Sequence, residues 1–106
     1  MKRGEVWWIN FAPSVGGEIR KMRPAVIVSN NAANQFLNRV QVVPLTSSVG
    51  KLYPSETYVT LRGKKAKAMA DQLTTVSKKR LMNQAGSVSK TDMDGIERTL
   101  IIQLGL

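Results

Sequence analysis

Residues 24–30, Pro-Ala-Val-Ile-Val-Ser-Asn, restrict this chain more than any other stretch. Their apolar side chains run on without alternating with polar ones, so the strand they form must be covered on both faces. Such a strand is central in its sheet. Pro24 suits its first position, where no ladder donor is needed. The cover must come from the rest of a chain of 106 residues, which is enough for one domain over residues 1–106 and too little for two.

The other segments are short. Glu5–Phe11 is rich in β-formers and reads as the first strand. Residues 12–23 are turn-rich and basic and are expected to form a mobile loop. Residues 31–38 suggest a short helical turn. Residues 39–48 give a third strand ending at Pro44 or Leu45, with Thr46, Ser47 and Ser48 at its exit. Glu56–Leu61 alternates cleanly and reads as a half-exposed strand. Residues 62–67 read as a basic turn, 68–76 as a further strand, and 85–89 as a short strand or connection. Residues 77–83 read as a helical turn capped by Ser77.

The last segment is the best helix. Thr91 is placed to cap it, Asp92 and Asp94 favour its N-terminal dipole, and Met93, Ile96, Leu100 and Leu104 recur at helical spacing. Gly95 within it costs about 1 kcal/mol against alanine. Five or six short strands followed by one helix imply a mainly β domain: a small antiparallel barrel, or a curved sheet closed by a helix.

Charge narrows the partners. Sixteen Lys and Arg against seven Asp and Glu leave a formal net charge of +9. On so small a surface that field attracts polyanions: nucleic acid first, an acidic protein second, an anionic membrane a distant third. A merely soluble basic domain remains open on charge alone. There is no cysteine, which excludes disulfides and fits a reducing cytoplasm. There is no histidine, so zinc sites become improbable and the commonest general acid/base is missing. No apolar run is long enough to span a bilayer. The basic N-terminus has no apolar segment behind it, so no signal peptide is expected.

Three short runs could carry chemistry, and each has a plainer reading. Glu18 with Arg20, Lys21 and Arg23 could be an anion site or solvated loop charge. Thr46 with Ser47 and Ser48 could bind a ligand or serve a turn. Asp71–Gln72, of types depleted from strands, needs a partner, a turn or a ligand. Together, guanidinium, hydroxyl, carboxylate and carboxamide form a kit for holding a phosphodiester and reading a base edge. Lacking histidine and metal ligands, the enzyme most readily built this way is an RNase that uses the substrate's own 2′-OH.

The ordered set "RGEVWW", "MRPAVIVSN", "VPLTSS" and "ADQLTTV" resembles the MazF/PemK (Kid-type) toxins of bacterial toxin–antitoxin modules, over nearly the whole chain. The resemblance implies an SH3-like antiparallel β-barrel with a C-terminal helix, MazF/PemK/CcdB-like, working as a homodimer. It further implies a metal-independent, cofactor-free endoribonuclease (an mRNA interferase) that cuts single-stranded RNA to a 2′,3′-cyclic phosphate and a 5′-hydroxyl. An acidic antitoxin would bind across the RNA groove. Residue by residue, Arg23 matches the catalytic arginine before the family's "RP", and Thr46 matches the threonine that supports the scissile phosphate. By the same resemblance Ser47 would assist it, Glu18 would orient the arginine or touch RNA, Arg20 and Lys21 would contact RNA, and Asp71 and Gln72 match the "DQ" pair. The chain departs from the Kid-type branch at Gly17, where that branch has histidine, and at Met69, where it has arginine. It fits the MazF side better, with Arg23 and Thr46 central. Two rivals remain: a non-catalytic nucleic-acid-binding barrel, and a topoisomerase-poisoning toxin on the same fold.

Overall fold

The computed structural model describes residues 1–13, 15–17 and 22–106. Among them are seven strands: β1 Glu5–Asn10, β2 Met22–Ile27, β3 Arg39–Thr46, β4 Glu56–Leu61, β5 Lys64–Met69, β6 Thr74–Ser77 and β7 Leu81–Ser87. Two α-helices, α1 Asn31–Phe36 and α2 Lys90–Leu104, complete the fold. Every strand pairing is antiparallel, in the order β4-β5-β3-β2-β1-β7, with β6 paired to β3.

The longest strand, β3, makes the sheet turn. One edge lies against β2 through Val42–Pro44. The other edge takes β6 over Arg39–Val42 and β5 over Leu45–Thr46. Changing partner partway along one edge bends the sheet into a half-barrel, and β1 adds register shifts against β7 that sharpen its curl. α2 closes the concave side.

Two apolar clusters result. Val6, Val26, Val43, Leu45, Val59, Met93 and Ile96 belong to the one beneath α2. Ile9, Phe11, Ala25, Ile27, Val40, Val42, Val76 and Leu81 form the other. β2 feeds Val26 to the first and Ala25 and Ile27 to the second, so the central strand is covered on both faces, as its unbroken apolar run requires.

Several local expectations need correction. β2 begins at Met22, so Pro24 is its third residue, not its first. β3 runs through Thr46, beyond the expected end at Pro44 or Leu45. The basic turn shrinks to Arg62–Gly63, both at positive φ (52° and 76°) as a two-residue hairpin demands, and Lys64–Met69 is strand. Residues 68–76 are not one strand: Ala70–Gln72 is a 3-10 turn. At Ser77 the expected cap is present, its side chain accepting from Lys79 N–H, but Leu81 already starts β7.

α2 is capped by Ser89, not Thr91. The Ser89 Oγ accepts from Asp92 N–H at 3.1 Å, leaving the Asp92 carboxylate to accept from the Thr60 backbone N–H of β4 at 2.9 Å. Met93 and Ile96 are buried and Leu100 packs against them, whereas Leu104 is exposed. Gly95 proves necessary rather than costly: a Cβ there would lie 2.9 Å from Thr57 Oγ1 on β4. Thr57 is β-branched and turns aside poorly. Gly95→Ala is therefore expected to lower stability by about 1–3 kcal/mol despite its better helix propensity. In Thr57→Ala/Gly95→Ala the loss should disappear. Urea unfolding of both variants reads this, and an unchanged Gly95→Ala midpoint would refute the close-approach account.

Candidate active site

The site forms where β2 enters the sheet and β3 leaves it. Continued beyond Ala25–Pro44, their register sets Pro24 opposite Leu45 and brings Arg23 level with Thr46. Backbone groups along an antiparallel strand point alternately to either side. Val28 N–H donates to the Gln41 carbonyl of β3 at 2.9 Å, so the even positions of β2 face β3. Position 24 is thus where the Leu45 carbonyl would find its donor, and proline has none.

Arg23 fills the gap. Its Nη1 donates to the Leu45 carbonyl at 3.3 Å, which draws the guanidinium across to the end of β3. The pair Arg-Pro acts as a unit: the proline removes a ladder donor and the arginine side chain replaces it beside Thr46. Arg23 Nε is buried with no hydrogen-bond partner. A buried donor left unpaired costs roughly 1–3 kcal/mol.

Thr46 is half-buried as the last residue of β3. Its Oγ1 accepts from the Ser48 backbone N–H at 3.2 Å. The turn reading of Thr46 is therefore correct, and it leaves the hydroxyl proton free to donate elsewhere. Ser47 is exposed beside it.

The remaining sequence candidates divide. Asp71 and Gln72 sit in the 3-10 turn, Asp71 exposed, so the turn alone accounts for two polar residues that were improbable in a strand. Gln72 Nε2 reaches the Gly17 carbonyl in a long 3.5 Å hydrogen bond, tying this turn to the β1–β2 connection. Glu18, Arg20 and Lys21 lie outside the described residues.

Sequence reasoning missed the neighbouring hairpin. Arg62, Lys64 and Lys65 at the β4–β5 tip rim a groove of about 350 Å³ whose wall includes Trp8, Pro24 and Thr46. The available signal was Arg-Gly directly after the alternating run Glu56–Leu61, a turn dipeptide that brings the cations on either side of it together. Trp8 is 37% exposed, while Phe11 is buried and Trp7 packs on the second apolar cluster, its indole N–H donating to Glu5 at 3.0 Å. Burial pushes the Glu5 carboxyl up. The Lys2 N–H, this indole N–H and the nearby N-terminal and Lys2 charges outweigh it and leave the carboxyl below its usual range. Among the described residues no three carboxylates gather as a metal site would need.

Residues 2–104 match the family described as PemK-like, MazF-like toxins of type II toxin–antitoxin systems. The chain belongs to that family. Endoribonuclease MazF9 of Mycobacterium tuberculosis (strain ATCC 25618 / H37Rv) is 35% identical, the alignment covering 100% of this chain and 98% of the relative. The crystal structure of MazF (Form-I) from Deinococcus radiodurans superposes with a TM-score of 0.87 at 27% identity, covering 100% and 97% of the two chains. An endoribonuclease in complex with its cognate antitoxin, from a mycobacterial species, matches with a TM-score of 0.85 at 27% identity, over 100% and 96%. The half-barrel with its closing helix is the MazF-like fold.

Proposed function

We propose that this MazF-like toxin is an endoribonuclease that cuts single-stranded RNA through the substrate's own 2′-hydroxyl. The observation that carries the reading is the Arg23 guanidinium, drawn by the Leu45 carbonyl to the side of Thr46. The endoribonuclease names of its relatives point the same way.

In the reaction the 2′-oxygen bonds to phosphorus and the P–O5′ bond breaks, leaving a 2′,3′-cyclic phosphate and a 5′-hydroxyl. Negative charge grows on the non-bridging oxygens. Arg23 offers its outer guanidinium N–H groups to them, and the Thr46 hydroxyl donates a further hydrogen bond. The 2′-OH proton must leave to a base and O5′ must gain one. Glu18 and Asp71 are the carboxylates offered for the first, and the guanidinium, a weak acid, for the second. Arg20, Lys21, Ser47 and Gln72 would contact the strand around the scissile phosphate, and the hairpin cations would extend its path.

The working form is a homodimer in the cytoplasm. A small chain gains core by pairing, and α2 leaves Ile101, Ile102 and Leu104 each more than half exposed. A relative's complex with its cognate antitoxin and this chain's +9 charge support an acidic antitoxin segment occupying the same groove.

One assay tests the whole reading. Column fractions are incubated with mixed RNA in EDTA, with and without an acidic antitoxin segment. Discrete fragments with cyclic-phosphate ends should follow the dimer peak and vanish with the segment. A single 2′-deoxy substitution at a cut position should block that cut. Retarded but intact RNA would favour the binding barrel. Neither cutting nor retardation would favour the topoisomerase poison, for which the exposed apolar end of α2 is the natural contact.

A further inference from the structure

Lysine at position 67 reads from sequence as turn charge, yet it is 6% exposed, and its ion-pair partner Glu56 is nearly as buried. The row Tyr58–Lys67–Thr46 crosses β4, β5 and β3 as directly opposed residues, so these side chains share one face of the sheet. Two of them, Lys67 and Tyr58, together with Glu56 two residues before Tyr58 on β4, hold the connection that leaves Thr46. Lys67 Nζ donates to the Lys51 carbonyl at 2.7 Å and to Glu56 Oε1 at 3.0 Å. The same Glu56 oxygen accepts from Tyr53 N–H at 3.0 Å. Tyr58 shares its hydroxyl proton between the Val49 and Gly50 carbonyls, at 3.0 and 3.1 Å.

Residues 47–55 contain no strand or helix. Backbone bonds hold their end, from Glu56 N–H to the Tyr53 carbonyl at 2.9 Å and from Ala70 N–H to the Ser55 carbonyl at 3.0 Å, and these side chains hold residues 49–51 and the Tyr53 N–H. A well-packed apolar pair would stabilise this place as well as two buried charges, or better. Apolar side chains could not, however, grip the Lys51 carbonyl and the Tyr53 N–H. We infer that Lys67, Glu56 and Tyr58 are positioning residues for catalysis: they fix the 47–55 connection and so hold the Thr46 hydroxyl, bonded to Ser48 N–H, in its reactive direction. The inference rests on the ribonuclease reading above.

The test separates rate from stability. Lys67→Met alone strands a buried carboxylate, so the decisive variant is Lys67→Met/Glu56→Leu, compared with wild type for Tm and for kcat and KM on a short RNA containing one cut sequence. The double variant should melt within a few degrees of wild type or above it. Its kcat should fall about ten- to a hundredfold, the effect of a misplacement of up to ~1 Å, while KM changes less than about threefold. A folded double variant with kcat within about threefold of wild type would overturn the inference. Should it not fold, Tyr58→Phe decides, because it deletes one hydroxyl and leaves both charges. A kcat at least about threefold lower supports positioning, and an unchanged kcat refutes it. If wild type itself leaves all RNA intact, the ribonuclease reading falls and this inference with it. If wild type cuts and the variants cut equally well, only the positioning claim is lost.

Discussion

Arg23→Ala should yield a folded protein that no longer cuts RNA. The guanidinium is proposed to neutralise charge on the phosphoryl oxygens, and removing an arginine of that kind typically costs about 10³–10⁵ in rate. The structure adds a smaller second effect. Without Nη1 the Leu45 carbonyl loses the donor that Pro24 cannot supply, at roughly 1 kcal/mol, while the unpaired buried Nε is removed as well, so the net change in stability should be small. Rate and stability should therefore fall by very different amounts. Arg23→Lys is the sharper variant, since an ammonium carries the charge but cannot present two parallel donors. It should lose most of the rate as well. Single-turnover cleavage of an oligonucleotide, with a melting curve for each variant, reads both quantities. Near-wild-type cleavage by either variant would reduce Arg23 to a substitute strand donor.

Thr46→Ala should lower the rate roughly a hundredfold, the scale of one lost transition-state donor. Two hydrogen bonds disappear with the hydroxyl: the one proposed to the phosphate, and the one accepted from Ser48 N–H. Thr46→Ser keeps both and gives up only the methyl that restricts rotation about χ1. It should retain at least about a tenth of the activity if the hydroxyl is what matters. The pair of variants separates the chemical reading from the turn reading. A Thr46→Ala loss below about threefold would leave the residue as turn structure alone.

Much of the proposed site is readable along the chain because its candidate parts are local. Arg-Pro, Pro-Leu-Thr-Ser-Ser and Asp-Gln are contiguous motifs, and their order resembles one family strongly enough to name Arg23 and Thr46 before any fold is known. The direction of the Arg23 side chain is not local. It depends on a carbonyl 22 residues away that lacks a backbone donor because of where β2 and β3 meet. Lys67 shows the same limit from the other side. Within "RGKKAK" it cannot be told from Lys64 and Lys65, which stay exposed, because only the approach of β3 on one side and Glu56 on the other takes it out of water.

Sequence alone therefore determined the early strands, the half-exposed strand β4 and the C-terminal helix, and that one strand is buried on both faces, but not β5, the break at Ala70–Gln72 or the start of β7. It also determined that the molecule is strongly basic. Each is a matter of composition or of periodicity within a few residues, where burial imposes its pattern directly. Tertiary structure alone decided that Gly95 is a spacer against Thr57, and that Ser89 caps α2 while Asp92 serves β4. It alone made Lys67 an interior cation and Arg23 the donor for Leu45. These are properties of pairs distant in sequence, and a residue's chemistry is completed by whatever the register sets opposite it.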